Sequence, residues 1–227
     1  MMTRRWAFGT IGLAAGFSGV AVTLSILSGV ALSVAEAALV LVPLVSVVFI
    51  ARRAPRPIVR EIMWVARVGV LSGAAATVVY DVTRTVLSLL DPSPYNPFEA
   101  IRQFGLGLLP ATATPALVMA AGFALHLVNG SSFGVIYAVF AGRHVHTFRA
   151  ALFSGLAWGL TLEFIQSILY PGWLQITTVL KEFMVISGLG HIMYGVTLGL
   201  GVRWLLRRGI DTGASPPDPL PQSGGSA

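Results

Sequence analysis

Two histidines stand in the same local pattern. His126-Leu-Val-Asn129-Gly130, followed by Gly134, and His191-Ile-Met-Tyr194-Gly195, followed by Gly199, both read H-x-x-(N/Y)-G-x-x-x-G. Each lies downstream of an apolar run that carries an acid with a polar residue three positions on: Asp81-x-x-Arg84 before the first, Glu163-x-x-Gln166 before the second. Residues three apart share a helix face. Asp81 can therefore pair with Arg84, while His126 and Asn129, Glu163 and Gln166, and His191 and Tyr194 lie side by side. Thr77, Asp81, Arg84 and Ser88 make one polar stripe. Imidazole and carboxylate can bond to each other, carry protons or bind metals, and their surroundings decide which.

Those surroundings are apolar. The chain has 227 residues, 55% hydrophobic and 11% charged, against about 25% charged in a soluble globular chain. This excludes an ordinary cytosolic enzyme, a disordered protein and a nucleic-acid binder. The net charge of +6 comes from short arginine clusters between apolar runs, a pattern of membrane orientation and not of phosphate recognition. With no cysteine, disulfides, thiolate metal sites, iron–sulfur clusters and cysteine nucleophiles are excluded as well.

A helix needs about 20 apolar residues to cross the hydrocarbon. The pattern predicts an all-α bundle of six transmembrane helices within residues 1–208, a single membrane domain. The spans fall at 7–27, 31–51, 62–90, 115–142, 150–170 and 183–206, with a tight turn at Ser28-Gly29. Residues 209–227 turn to Gly, Ser, Pro and Asp, which predicts a disordered cytoplasmic tail. The arginines at 4–5, 52–60, 143–149 and 207–208 all fall on one side of this arrangement. The positive-inside rule makes that side, and both chain ends, cytoplasmic. A second reading takes Thr3-Arg4-Arg5-Trp6 and the run up to Ala35-Glu36-Ala37 as a cleaved twin-arginine signal peptide.

A charge at the bilayer centre costs about 3 kcal/mol on insertion scales, so each needs a reason. The intramembrane candidates are Glu36, Tyr80, Asp81, Arg84, His126, Asn129, Glu163, Gln166, His191 and Tyr194, with Glu182 at the outer edge. At 1.5 Å per residue, His126 lies roughly 16 Å and His191 roughly 12 Å below the outer face. The polar groups thus form one layer in the outer half, and the inner half is nearly all apolar. Helices 3–4 and 5–6 read as a parallel internal repeat. Each half has a short outer interfacial helix between its spans: one opening at Asn96-Pro97-Phe98-Glu99 with Asn as cap, the other over Trp173–Glu182. The small-xxx-small glycines after each histidine also allow close helix packing.

Spans bearing H-x-x-N-G and G-H-x-x-Y-G resemble those of uncharacterised bacterial inner-membrane proteins grouped as domains of unknown function. The likeness covers residues 77–205. It implies a bacterial plasma membrane and a helical bundle, and brings no activity or catalytic residue with it.

The leading expectation is a non-enzymatic multi-pass membrane protein of the bacterial plasma membrane, in contact with membrane lipids. It would bind or move a small solute, ion or lipid headgroup in a pocket of Asp81, Arg84, His126, Asn129, Glu163, Gln166, His191 and Tyr194. One alternative is a redox or hydrolytic enzyme. His126, His191, Glu163 and Glu182 would then hold a divalent metal, or His126 and His191 a haem with Arg84 on a propionate. The H-E-x-x-H and Glu-x-x-His patterns are absent. The other alternative is an accessory subunit whose polar layer only locks packing. His144 and His146 read as a solvated basic loop, and Ser131 and Ser132 lack a nucleophile elbow.

Overall fold

The computed structural model describes residues 2–91, 93 and 95–211. Among them there are helices and connections and no strand. Helices α1 (Arg4–Ala14) and α2 (Phe17–Ser28) meet at a bend of 42° around Ala15-Gly16. Glycines explain the bend's path. Gly12 faces Val139 and Phe140, and Gly19 faces the ring of Phe133, closely enough that an added Cβ would collide. The bent pair thus wraps against α7 (Pro115–Phe140). Gly29 ends α2 at φ 74°, the left-handed conformation that glycine adopts without a Cβ penalty, so the turn falls where the sequence puts it.

Helices α3 (Leu32–Leu39) and α4 (Leu41–Arg53) follow, together a 22-residue segment of mean hydropathy 2.5. Helix α5 spans Arg56–Leu90 and α6 Glu99–Leu108. After α7 come a 3-10 turn at Gly142–His144, α8 (Phe148–Leu174), a second 3-10 turn at Thr177–Val179, and α9 (Leu180–Asp211). Among the described residues five helices are long and apolar enough to cross a membrane, six if the bent α1–α2 pair is one span. The protein is a multi-pass helical membrane protein. The span expected over 7–27 is two helices bent at Ala15-Gly16.

The starts of α7 and α8 follow their caps. Thr114 accepts from the Leu117 N–H at 3.4 Å ahead of Pro115, and Thr147 from the Ala150 N–H at 3.1 Å. Helix α9 continues through Gly209, and residues 212–227 of the expected tail lie outside the described residues. The two outer connections differ from expectation. Asn96 does not cap a helix. Its side chain accepts from the Phe98 N–H at 3.0 Å in a local turn, and α6 starts at Glu99. Trp173–Glu182 forms no interfacial helix, because α8 runs on to Leu174, Gln175 turns left-handed at φ 54°, and α9 begins at Leu180. Outside the spans, the Arg102 guanidinium hydrogen-bonded to Glu99 holds that carboxyl below its ordinary range.

Helix α5 is central. It packs against both α7 and α9, α8 packs on α9, and α6 lies on the first half of α7. The crossings are made by small residues. Gly73 meets the backbone of Gly130 and Gly134, and Gly69 that of Gly134 and Val135. On the other side Gly155 meets Gly195 and Gly199, and Gly159 meets His191 and Gly195. Tyr137 and Ser154 hydroxyls join α7 to α8 at 2.7 Å. The second span lies at the edge: 11% of its apolar window is buried, against 50% for α7 and α9. The basic segments meet through a set of contacts. Arg4 pairs with Glu61, the Met2 N–H bonds the Arg53 carbonyl at 3.2 Å, Arg143 stacks over Phe8 at 4.0 Å, and Arg207 donates to the His146 carbonyl.

Candidate functional site

The α5–α7 crossing and the α8–α9 crossing each set an acid against a histidine. Asp81 lies two turns beyond Gly73 on α5, and His126 one turn before Gly130 on α7. The His126 Nε2–H donates to Asp81 Oδ1 at 3.2 Å. The same oxygen accepts from the Arg84 guanidinium at 2.8 Å, as the three-residue spacing allows. Arg84 is 3% exposed. Its other terminal nitrogen donates to the Pro97 carbonyl at 2.7 Å, tying the α5–α6 connection down over the site. The guanidinium also sits 4.3 Å from the centroid of the Tyr80 ring, a cation–π contact worth ~2 kcal/mol when desolvated.

The second pair is bonded more closely. Glu163 Oε2 lies 2.7 Å from His191 Nδ1 and accepts from the Ser187 hydroxyl at 2.7 Å. Ser187 in turn accepts from the Gln166 side-chain N–H at 2.7 Å. The Ser187 carbonyl, 3.1 Å from His191 Nδ1, can only accept. Nδ1 therefore carries the proton, and Nε2 is the ring's remaining polar atom.

Tyr80 joins the two pairs. Its ring centroid is 5.8 Å from that of His126 and 4.7 Å from that of His191. Tyr194 reaches across to α7 and donates to the Gly130 carbonyl at 2.7 Å. A Tyr194→Phe chain should lose about 1 kcal/mol of stability, read as a lower melting temperature in detergent by circular dichroism, because the Gly130 carbonyl keeps its helical donor. Asn129 is 7% exposed, and its Oδ1 has no partner among the described residues. A cavity of about 70 Å³ is lined by His126, Asn129, Gln166, His191 and Tyr194, with Tyr80 and Phe104 among its walls.

Five of the eight residues expected to share a site thus line one cavity. Asp81 and Glu163 stand behind the histidines, and Arg84 lines an adjoining recess of about 30 Å³ under α6 with Tyr95 and Glu99, which shares Tyr80, His126 and Gln166 with that cavity. Glu36 belongs elsewhere and accepts from Ser18 at 2.8 Å. Glu182, half-buried in the first turn of α9, is in neither acid–histidine pair. Ser187, fully buried between Glu163 and Gln166, was missed in the sequence. Its signal was present: it stands four residues before His191 and so on the same face. Tyr80 counted only as an intramembrane polar residue, yet it is the contact between the pairs.

Among the described residues no group of three or more His, Asp or Glu side chains gathers in a way that could hold a metal ion. Of His126, His191, Glu163 and Glu182, Glu163 and His191 pair, but the set does not form such a group. The Tyr80 ring packs on both imidazoles, so the space a haem would need between them holds a phenol.

Fold and site together define a multi-pass helical membrane protein with two acid–histidine pairs at its helix crossings. No family model matches the chain, and no curated protein and no solved structure is detectably similar to it.

Proposed function

We propose that this is a multi-pass protein of the bacterial plasma membrane, with both ends cytoplasmic, that binds a small polar solute or a lipid headgroup in the outer half of the bilayer. One observation carries the reading: α5, α7, α8 and α9 each contribute a polar side chain or its partner to one cavity, with a carboxylate–imidazole pair at each of the two crossings. A polar layer that served only packing would close on itself, yet Asn129 Oδ1 has no partner among the described residues. The contacts among the arginine-bearing segments support a common cytoplasmic side. Binding is favoured over passage by what fills the bundle on that side. Val68, Val139, Leu198 and Val202 are fully buried and apolar.

The two halves read as a parallel repeat. Asp81 corresponds to Glu163 and His126 to His191. Contacts between glycines follow the same correspondence: Gly73 with Gly130 and Gly134, Gly155 with Gly195 and Gly199. The repeat puts the site at the junction of its halves, with Tyr80 as the residue that has no counterpart across it.

The chain's lack of cysteine gives a clean test. Asn129→Cys and Val139→Cys are made singly in the full chain and treated with 2-aminoethyl methanethiosulfonate from the outer face of sealed vesicles. Asn129→Cys should be labelled at least about tenfold faster than fully buried Val139→Cys. Equal rates would mean a closed polar layer and would end the binding reading.

A further inference from the structure

The polar cavity has an apolar annex. A crevice of about 520 Å³ runs between α2 and α8 and ends at Asn129, Gln166 and His191, within the range of roughly 300–1,000 Å³ for small-molecule sites. Its mouth is set by Val20 on α2 and Ile165 on α8, 55% and 46% exposed. Helix α8 is long and apolar enough to cross a membrane, and the bent α1–α2 pair is so when taken together, so the mouth faces hydrocarbon and admits a chain sideways from the bilayer. Gly16 and Gly19 form part of the wall on the α2 side.

The inner end presents two side-chain amides and an imidazole. Asn129 Oδ1 has no partner among the described residues. Gln166 donates its amide N–H to Ser187, which leaves its carbonyl. His191 Nδ1 is engaged by Glu163 and the Ser187 carbonyl, which leaves Nε2 as the ring's other polar atom. Among the described residues no arginine or lysine lines the crevice, and Arg84 lines the adjoining recess under α6, which shares Gln166 and Tyr170 with it. An anionic head would find no partner charge there. An ammonium head would lose its hydration, and the nearest carboxylate, Glu163, is already bonded to His191 and Ser187. Hydroxyl groups both donate and remain uncharged.

We propose that the crevice holds the chain of a long-chain lipid alcohol, its hydroxyl head on Asn129, Gln166 and His191. This rests on the binding reading above and names the class of ligand. The occupant's chain enters from the membrane.

The test titrates 1-monooleoylglycerol, oleate and oleylamine separately into the detergent-purified full chain and counts bound lipid by native mass spectrometry. The wild-type chain should bind monooleoylglycerol at least about tenfold more tightly than oleate or oleylamine, which is one well-placed hydrogen-bonding head. Val20→Trp fills the mouth from an exposed position and keeps the fold. It should weaken monooleoylglycerol by about tenfold or more, and Asn129→Leu should remove the preference for the hydroxyl head. Melting curves check that both variants are folded. Equal binding of the three lipids overturns the head assignment. Loss on Asn129→Leu with none on Val20→Trp overturns the crevice but leaves the polar pocket standing. No effect of either variant removes both. A dimer mass that disappears in Val20→Trp, with no lipid bound, gives the crevice to a second copy of the chain and overturns the proposal.

Discussion

Replacing Arg84 by methionine should destabilise the folded protein by about 3–5 kcal/mol, the range for breaking a buried ion pair from one side. The side chain is almost completely buried and holds three things at once: the Asp81 carboxylate, the Pro97 carbonyl and the face of Tyr80. Methionine keeps the volume and loses all three. Asp81 is then left with His126 alone at 3.2 Å, and the α5–α6 connection loses its tether. Arg84→Lys should fall between, because an ammonium is a point charge and cannot fork to two acceptors. Adding Asp81→Leu to Arg84→Met should recover part of the loss, since no unpaired charge then remains buried. Denaturant melts in detergent micelles read all three. A single Arg84→Met variant as stable as the wild type would mean that the site is wet and that the pair contributes little.

Much of this was legible from spacing alone. The Asp81–Arg84 bond follows from a spacing of three on one helix face, and the turn after α2 from Gly29. The depth estimate that put His126 and His191 in one layer rests only on the helical rise, and both rings do meet Tyr80. Partner choice across helices was not legible. Tyr194 could equally have bonded a histidine, but its length carries the hydroxyl over to Gly130, a carbonyl exposed because the glycine has no side chain to cover it. The bend in the first span was hidden as well, because an apolar run reports burial and not direction. Its cause is the fit of Gly12 and Gly19 against the rings of α7, a contact between segments far apart in sequence. Connections were the weakest part. Asn96 satisfies its own turn, and the second outer connection is shorter than a helix needs, since α8 and α9 each extend into it.

The other large effect belongs to the glycines. Gly155→Leu and Gly195→Leu should each cost about 3 kcal/mol or more, at or above the upper end for inserting carbon into a packed interface. Their positions oppose backbone and not flexible side chains: Gly155 faces the Gly195 carbonyl, and Gly195 faces that of Gly155. No rotamer change can make room, so α8 and α9 must separate. Separation pulls Glu163 from His191, and with it the bonds of Ser187 and Gln166. Gly188→Ala is the control. Nothing lies within 4 Å of its would-be Cβ, and alanine favours a helix over glycine by about 1 kcal/mol, so this variant should be unchanged or slightly more stable. If the halves are built on one plan, Gly73→Leu on α5 should match Gly155→Leu in size, because it meets the Gly130 carbonyl as Gly155 meets that of Gly195. Melting temperatures of the four variants in one detergent decide this. A neutral Gly73→Leu beside a damaging Gly155→Leu would show that the two crossings carry different loads, and the repeat would then be one of sequence pattern without a shared packing role.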